Sequence, residues 1–131
     1  MLTIRSLGGI SLFLFGTTFL WLTPMFAADN VDTSGAAWAA VAILSTATIS
    51  GFTVATWGLF RRTPWWEPLG VACALVGLVT LVPYWVAADG SDVTNPVFDV
   101  LIHAAGSLGV LLLLRVPRLE HWVRGHVAAG R

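Results

Sequence analysis

The sequence predicts an all-α integral membrane protein, folded as a bundle of four transmembrane helices in one domain over residues 1–131. Hydrophobic residues make up 56% of the chain, charged residues make up only 11%, and the mean hydropathy is +0.80. A soluble domain of this size carries far more charge on its surface. Four apolar segments are each long enough to cross a hydrocarbon core of roughly 30 Å, at about 1.5 Å per residue. They are residues 7–26, 36–60, 68–86 and 97–114.

The basic residues predict the orientation of the bundle. The polar connectors between the segments are short, so consecutive helices are expected to be antiparallel neighbours. Connectors that stay in the cytoplasm carry an excess of basic residues. The basic residues all fall on one predicted side: Arg5, Arg61, Arg62, Arg115, Arg118, Arg124 and Arg131. Both termini are therefore expected in the cytoplasm. A basic set made only of arginine is typical of a high-GC prokaryote, so we expect a prokaryotic cell membrane as the location.

The two ends of the chain each need an interpretation. Arg5, the apolar run after it and the letters MFAA at residues 25–28 resemble a cleavable signal peptide. We interpret this segment instead as a retained first helix. Near the other end, residues 118–127 place Leu119, Trp122 and Val123 on one face, which predicts a short interfacial helix.

Two pairs of short motifs predict an internal repeat. The letters PMFAADNVD at residues 24–32 resemble PYWVAADGSD at 83–92, and RTPWWE at 62–67 resembles RVPRLE at 115–120. Both pairs recur in the same order, which favours two tandem helical hairpins related by an axis along the membrane normal. The alternative is convergence, because helix ends on one side of a membrane gather similar residues.

An ionisable pair in the fourth segment is the first candidate for a functional site. Asp99 and His103 are four residues apart and share a helix face, which Ser107 extends by one turn. Ionisable groups inside a membrane are costly and usually face the bundle interior. The second segment is rich in hydroxyl groups, including those of Thr48 and Thr53, which could line a polar path opposite the pair. Alternatively, the acid favours the helix N-terminus, the histidine packs in the core, and the hydroxyl groups bond to their own helix.

Acidic side chains in the predicted outer connectors are candidates for a cation site. The candidates are Asp29, Asp32, Asp89 and Asp92. Carboxylate oxygens are ligands that hard cations prefer, but the spacing matches no EF-hand, and solvated loop acids are the alternative. Three histidines and one cysteine show no zinc spacing, so no metal and no cofactor are predicted.

Composition and motifs together favour a protein that works by association in the membrane. The sequence has no basic run for nucleic acid and no nucleophile, phosphate-loop or paired-carboxylate motif. Small residues four apart, such as Gly70 and Ala74, let helices approach closely. We expect a non-enzymatic protein in the lipid bilayer, either a homo-oligomer or an accessory subunit of a membrane complex. The alternative is a small transporter or channel with a path along Asp99, His103 and the hydroxyl groups of the second segment.

Overall fold

The structure, a computed structural model, describes residues 2–27 and 30–129, which form helices and short connections without a strand. Four of the helical segments are long and apolar enough to cross a membrane, which confirms the prediction of a multi-pass helical membrane protein. The helices are α1, Ile4–Thr18; α2, Ala36–Phe60; α3, Trp66–Ala88; α4, Pro96–Arg115; and α5, Pro117–Trp122. After α5 the chain continues as a π-helical segment, Val123–Ala128.

The first span has a different backbone from the single helix predicted over residues 7–26. The α-helix ends at Thr18, and two 3₁₀ turns follow, Phe19–Leu22 and Pro24–Phe26. The Thr18 hydroxyl donates to the carbonyl oxygen of Phe15 at 2.7 Å, and such side-chain bonds compete with the regular helical pattern. The proline that starts the second turn lacks an N–H group and favours an extended residue before it. The α-helix therefore ends well before residue 26, and apolar composition does not reveal the change to 3₁₀ turns.

The two predicted outer copies of the repeat have different backbones. Pro24 starts a 3₁₀ turn, whereas Pro83 lies inside α3, which continues past it. The other two copies meet in space, because the motif-related glutamates Glu67 and Glu120 both bind Arg124. The Glu67 oxygens lie 3.1 Å from Nε and Nη2 of the arginine, and Glu120 Oε1 lies 2.6 Å from Nη2. The duplication itself stays a prediction.

Two apolar clusters hold the helices together, with α2 and α3 at the centre of the bundle. α1 packs on α2, and α4 packs on α3. One cluster contains Phe52 of α2 and Tyr84 of α3. The other joins Leu59, Trp66 and Leu114, so that it links α2, α3 and α4 near the other end of the bundle. Burial of these side chains fixes the neighbours of each helix.

Both ends of the described chain lie on one side of the bundle, which we call the terminal side. The Arg5 guanidinium donates to the carbonyl oxygen of Ala128, which lies 2.6 Å from Nη2 and 3.2 Å from Nε. α2 also ends there, because the Phe60 ring lies against Gly9 near the start of α1. On the opposite side, α1 leads into α2 and α3 leads into α4. The cytoplasmic location of the terminal side and the surface location of the last helical segment stay predictions.

We predict that Gly16→Ala destabilises the bundle by about 1–3 kcal/mol through overpacking. A Cβ at this position would lie 2.6 Å from the Cβ of Phe52, an atom fixed by the α2 backbone. Gly109→Ala is the matched control, because a Cβ there meets open space. The control should gain about 0.5–1 kcal/mol from the better helix former. Unfolding in a denaturing-detergent titration measures both variants, and equal stabilities would contradict the close packing of α1 on α2.

Candidate functional site

His103 lies in the interior of the bundle and joins α4 to the end of α1. Its side chain is 1% exposed. Nδ1 lies 2.6 Å from the carbonyl oxygen of Asp99, one turn earlier in α4, and Nε2 lies 3.1 Å from the carbonyl oxygen of Thr18. The ring of Phe19 meets the imidazole edge to face, with a centroid distance of 4.9 Å. Because both hydrogen-bond partners are acceptors, a neutral ring donates to one of them and only a doubly protonated ring donates to both.

The Asp99 carboxylate is directed at α3 and does not pair with the imidazole. The Tyr84 hydroxyl donates to Asp99 Oδ2 at 2.6 Å. The phenol ring is buried and lies edge to face with Trp38 at a centroid distance of 6.2 Å. Asp99 and His103 therefore share a helix face as predicted, but each makes its side-chain link to a different helix.

The predicted hydroxyl groups fall on different surfaces of the bundle. Thr48 and Ser107 are fully buried, whereas Thr53 is exposed on the outside of α2. The hydroxyl of Thr48 donates to Leu44 O, and that of Thr53 donates to Ile49 O, each at 2.8 Å. The Ser107 hydroxyl has no partner among the described residues. These positions bring Thr48 and Ser107 into the interior with His103 and place Thr53 away from them.

A pocket of about 140 Å³ lies at the opposite side of the bundle, next to the ionisable pair. Trp38, Tyr84 and Asp99 line it together with residues of the connectors, whereas His103 does not. The pocket therefore reaches the carboxylate from the connector side and ends before the imidazole.

Two of the connector aspartates, Asp32 and Asp92, are engaged by neighbouring polar groups. Asn30 Nδ2 donates to Asp92 Oδ2 at 2.8 Å, which ties the two connectors together. Asp32 Oδ1 accepts from the hydroxyl of Ser34 at 2.6 Å and from its N–H at 3.0 Å, and these bonds lower the pKa of Asp32. Asp29 lies outside the described residues. Within the described chain, no three acidic, histidine or cysteine side chains come together as a group that could hold a metal ion.

Two links that the sequence prediction missed fasten the helix ends. One is the bond between Tyr84 and Asp99. The other is Arg124 with Glu67 and Glu120, where the bond to Glu67 and the two negative charges raise the pKa of the guanidinium. The repeated Arg-x-Pro-x-x-Glu motif places both glutamates on the side where this arginine is expected, so the second link has a sequence signal. The bond between Tyr84 and Asp99 has a weaker sequence signal, which is that the two residues lie on either side of the connector between α3 and α4.

Comparison with protein-family models, curated proteins and solved structures finds no match for this chain.

We predict that His103→Ala destabilises the bundle by about 2–4 kcal/mol. The change removes a fully buried ring and leaves the Thr18 carbonyl without the side-chain donor from α4. His121→Ala is the control, because His121 is exposed on α5 and should change stability by less than about 0.5 kcal/mol. Denaturing-detergent titration gives both values. Similar small effects for the two variants would show that His103 does not fasten α1 to α4.

Proposed function

We propose that the protein is a non-enzymatic membrane protein that works by helix–helix association, as a homo-oligomer paired through α2. The observation that supports this function is the outward surface of α2, which we call the α2 face. Its members are exposed and alternate at spacings of four and three residues: Ala39, Ile43, Thr46, Ser50, Thr53 and Trp57. That spacing matches the seam of a left-handed helix pair.

The α2 face differs in composition from the other outward surfaces of the same bundle. Its centre consists of Thr46, Ser50 and Thr53, and α3 instead presents branched aliphatic side chains such as Val79 and Val82, which are 56% and 65% exposed. Lipid chains solvate aliphatic side chains well, and no hydrophobic force drives helices together in a bilayer. Small and hydroxyl-bearing residues instead allow close backbone approach and interhelical hydrogen bonds. The contrast therefore favours a protein neighbour at α2.

Two of these hydroxyl groups are compatible with a dry interface. Thr46 donates to the carbonyl oxygen of Ala42 at 2.7 Å, and Thr53 donates to that of Ile49 at 2.8 Å. Their donor hydrogens are satisfied within α2, while the oxygen lone pairs remain able to accept a bond from a partner.

A second copy suits this face because it has the same orientation in the membrane. An axis along the membrane normal brings each residue of α2 opposite its own counterpart at equal depth. Ser50 then lies next to Ser50 of the other copy, where the two hydroxyl groups can exchange a hydrogen bond. If the protein is instead an accessory subunit, a helix of a different membrane protein would pack on the α2 face.

Transport along Asp99, His103 and the α2 hydroxyl groups is the alternative function. The outward position of Thr53 weighs against it, and so does the placement of both His103 ring nitrogens against backbone carbonyl oxygens. The geometry supports a structural role for the pair better than a path.

We predict that Ser50→Cys, in a Cys73→Ala background, forms disulfide-linked dimers under mild oxidation in lipid bilayers. The background removes the buried native thiol, the free cysteine of the described chain. Val79→Cys on the outward side of α3 is the matched control at an exposed site. We expect a dimer fraction at least five-fold higher for Ser50→Cys, measured by non-reducing electrophoresis.

Equal dimer fractions for the two variants would contradict pairing through α2. A monomeric mass in mild detergent, together with a stable complex containing a different membrane protein, would contradict the homo-oligomer and favour an accessory subunit.

A further inference from the structure

An apolar cleft of about 630 Å³ separates α1 from α4 on the terminal half of the bundle. Its walls are formed by Leu7 and Leu12 of α1 and by Gly109 and Leu113 of α4, with Leu59 among the residues behind them. Apart from Ser11, the side chains that line it are apolar. The cleft exists because α1 packs on α2 and α4 packs on α3, so the two outer helices diverge.

The cleft is closed at the end that faces away from the terminal side. Towards the opposite side, the Phe15 ring lies directly against Gly106 of α4. Phe15 is itself held edge to face by Phe52, at a centroid distance of 5.5 Å. Towards the terminal side, Trp122 and Val127 of the last helical segment line the cleft. The Phe15 ring therefore forms a roof that limits how deeply a ligand can enter from the terminal side.

The depth of the cleft matches one leaflet of a bilayer. It runs along α1 from Ile4 to Phe15, or roughly 16 Å at about 1.5 Å per residue. This is about half of a hydrocarbon core of roughly 30 Å. A helix that crosses the bilayer cannot fit below the Phe15 roof. An acyl chain from the terminal-side leaflet has the appropriate length and chemistry.

We propose that this cleft binds one acyl chain of an anionic phospholipid from the terminal-side leaflet. The volume falls within the range of roughly 300–1,000 Å³ that is usual for small-molecule sites. The apolar lining favours a hydrocarbon chain over a polar ligand. A lipid tail at this position fills space that the protein's own side chains leave open, as at Gly109, where an added Cβ would meet no atom within 4 Å.

Arginines adjacent in sequence to cleft-lining residues favour an anionic headgroup. Arg5 follows Ile4 and Arg115 follows Leu114, two residues that line the terminal end. The ion pairs of the described chain are those of Arg124 with acidic side chains. No described carboxylate therefore balances the charge of Arg5 or Arg115. Arginines at the level of the headgroups attract anionic lipids.

Photocrosslinking in proteoliposomes tests the proposal on the full chain. The probe is phosphatidylglycerol with a diazirine in the middle of one acyl chain, and mass spectrometry locates the adducts. We expect adducts concentrated on the cleft residues of α1 and α4. Gly109→Trp should reduce these adducts at least five-fold, because the indole occupies the open space. Gly109→Leu is a second variant that fills the same space with a strong helix former, should the larger side chain impair folding.

Val79→Trp is the matched control, because it adds the same side chain to the outward surface of α3. It should leave the cleft adducts unchanged. Adducts spread evenly over all outward surfaces and insensitive to both Gly109 variants would overturn the site. Loss of Ser50→Cys dimers in the Gly109 variants would also overturn it, since the cleft would then be an interface between copies of the chain.

Competition with unlabelled lipids tests the headgroup. Phosphatidylglycerol should displace the probe at a several-fold lower concentration than phosphatidylcholine with the same chains. Equal displacement would overturn the role of Arg5 and Arg115. The α2 face lies on another helix. The dimer fraction of Ser50→Cys in a chain that keeps Gly109 therefore tests only the proposed function and does not decide the lipid site.

Discussion

The contact of 3.1 Å between His103 Nε2 and the Thr18 carbonyl oxygen is the polar link that joins α4 to the end of α1. In the apolar core of a bilayer, backbone groups must find partners within the protein. α1 stops at Thr18, where regular helical bonding gives way to 3₁₀ turns, and α4 supplies a ring nitrogen to a carbonyl group at that point. At the other end of α1, Arg5 binds the Ala128 carbonyl. Between these two links, α1 packs on α2 and α4 packs on α3, so the two outer helices diverge.

This attachment gives the bundle two surfaces with different chemistry. The cleft between α1 and α4 is apolar, about half a bilayer deep and closed by Phe15 at its inner end, which suits one lipid chain. The α2 face is continuous along the helix and carries small and hydroxyl-bearing side chains, which suits another helix. The ionisable pair lies between these surfaces and holds helices together, with Asp99 bonded to α3 and His103 bonded to the end of α1. Links between helices thus account for the burial of His103 and the partial burial of Asp99.

Much of the fold could be predicted from the sequence, because bilayer thickness fixes how long an apolar segment must be. α2 has the predicted bounds, residues 36–60. α4 is one residue longer at each end than the predicted segment, residues 97–114. The early end of α1 is a local change from α-helix to 3₁₀ turns, which hydropathy does not record because both conformations keep the segment apolar. The partners of Asp99 and His103 lie on other helices, so helix periodicity could predict their shared face but not their bonds. The outward position of Thr53 depends on the rotation of α2, which a uniformly apolar helix does not specify.

Distance measurement by solid-state NMR in lipid bilayers tests the central link most directly. The chain would carry His121→Gln and His126→Gln, so that His103 is the remaining histidine, with ¹⁵N in the ring and ¹³C in threonine carbonyl groups. The 3.1 Å bond from Nε2 to the carbonyl oxygen places the two labelled nuclei about 4 Å apart, given the length of a C=O bond. We predict strong ¹⁵N–¹³C dephasing in this chain. The dephasing should disappear in Thr18→Ser, because serine keeps the backbone carbonyl group but does not carry the ¹³C label. Absence of dephasing, or dephasing that survives Thr18→Ser, would contradict the link between His103 and Thr18.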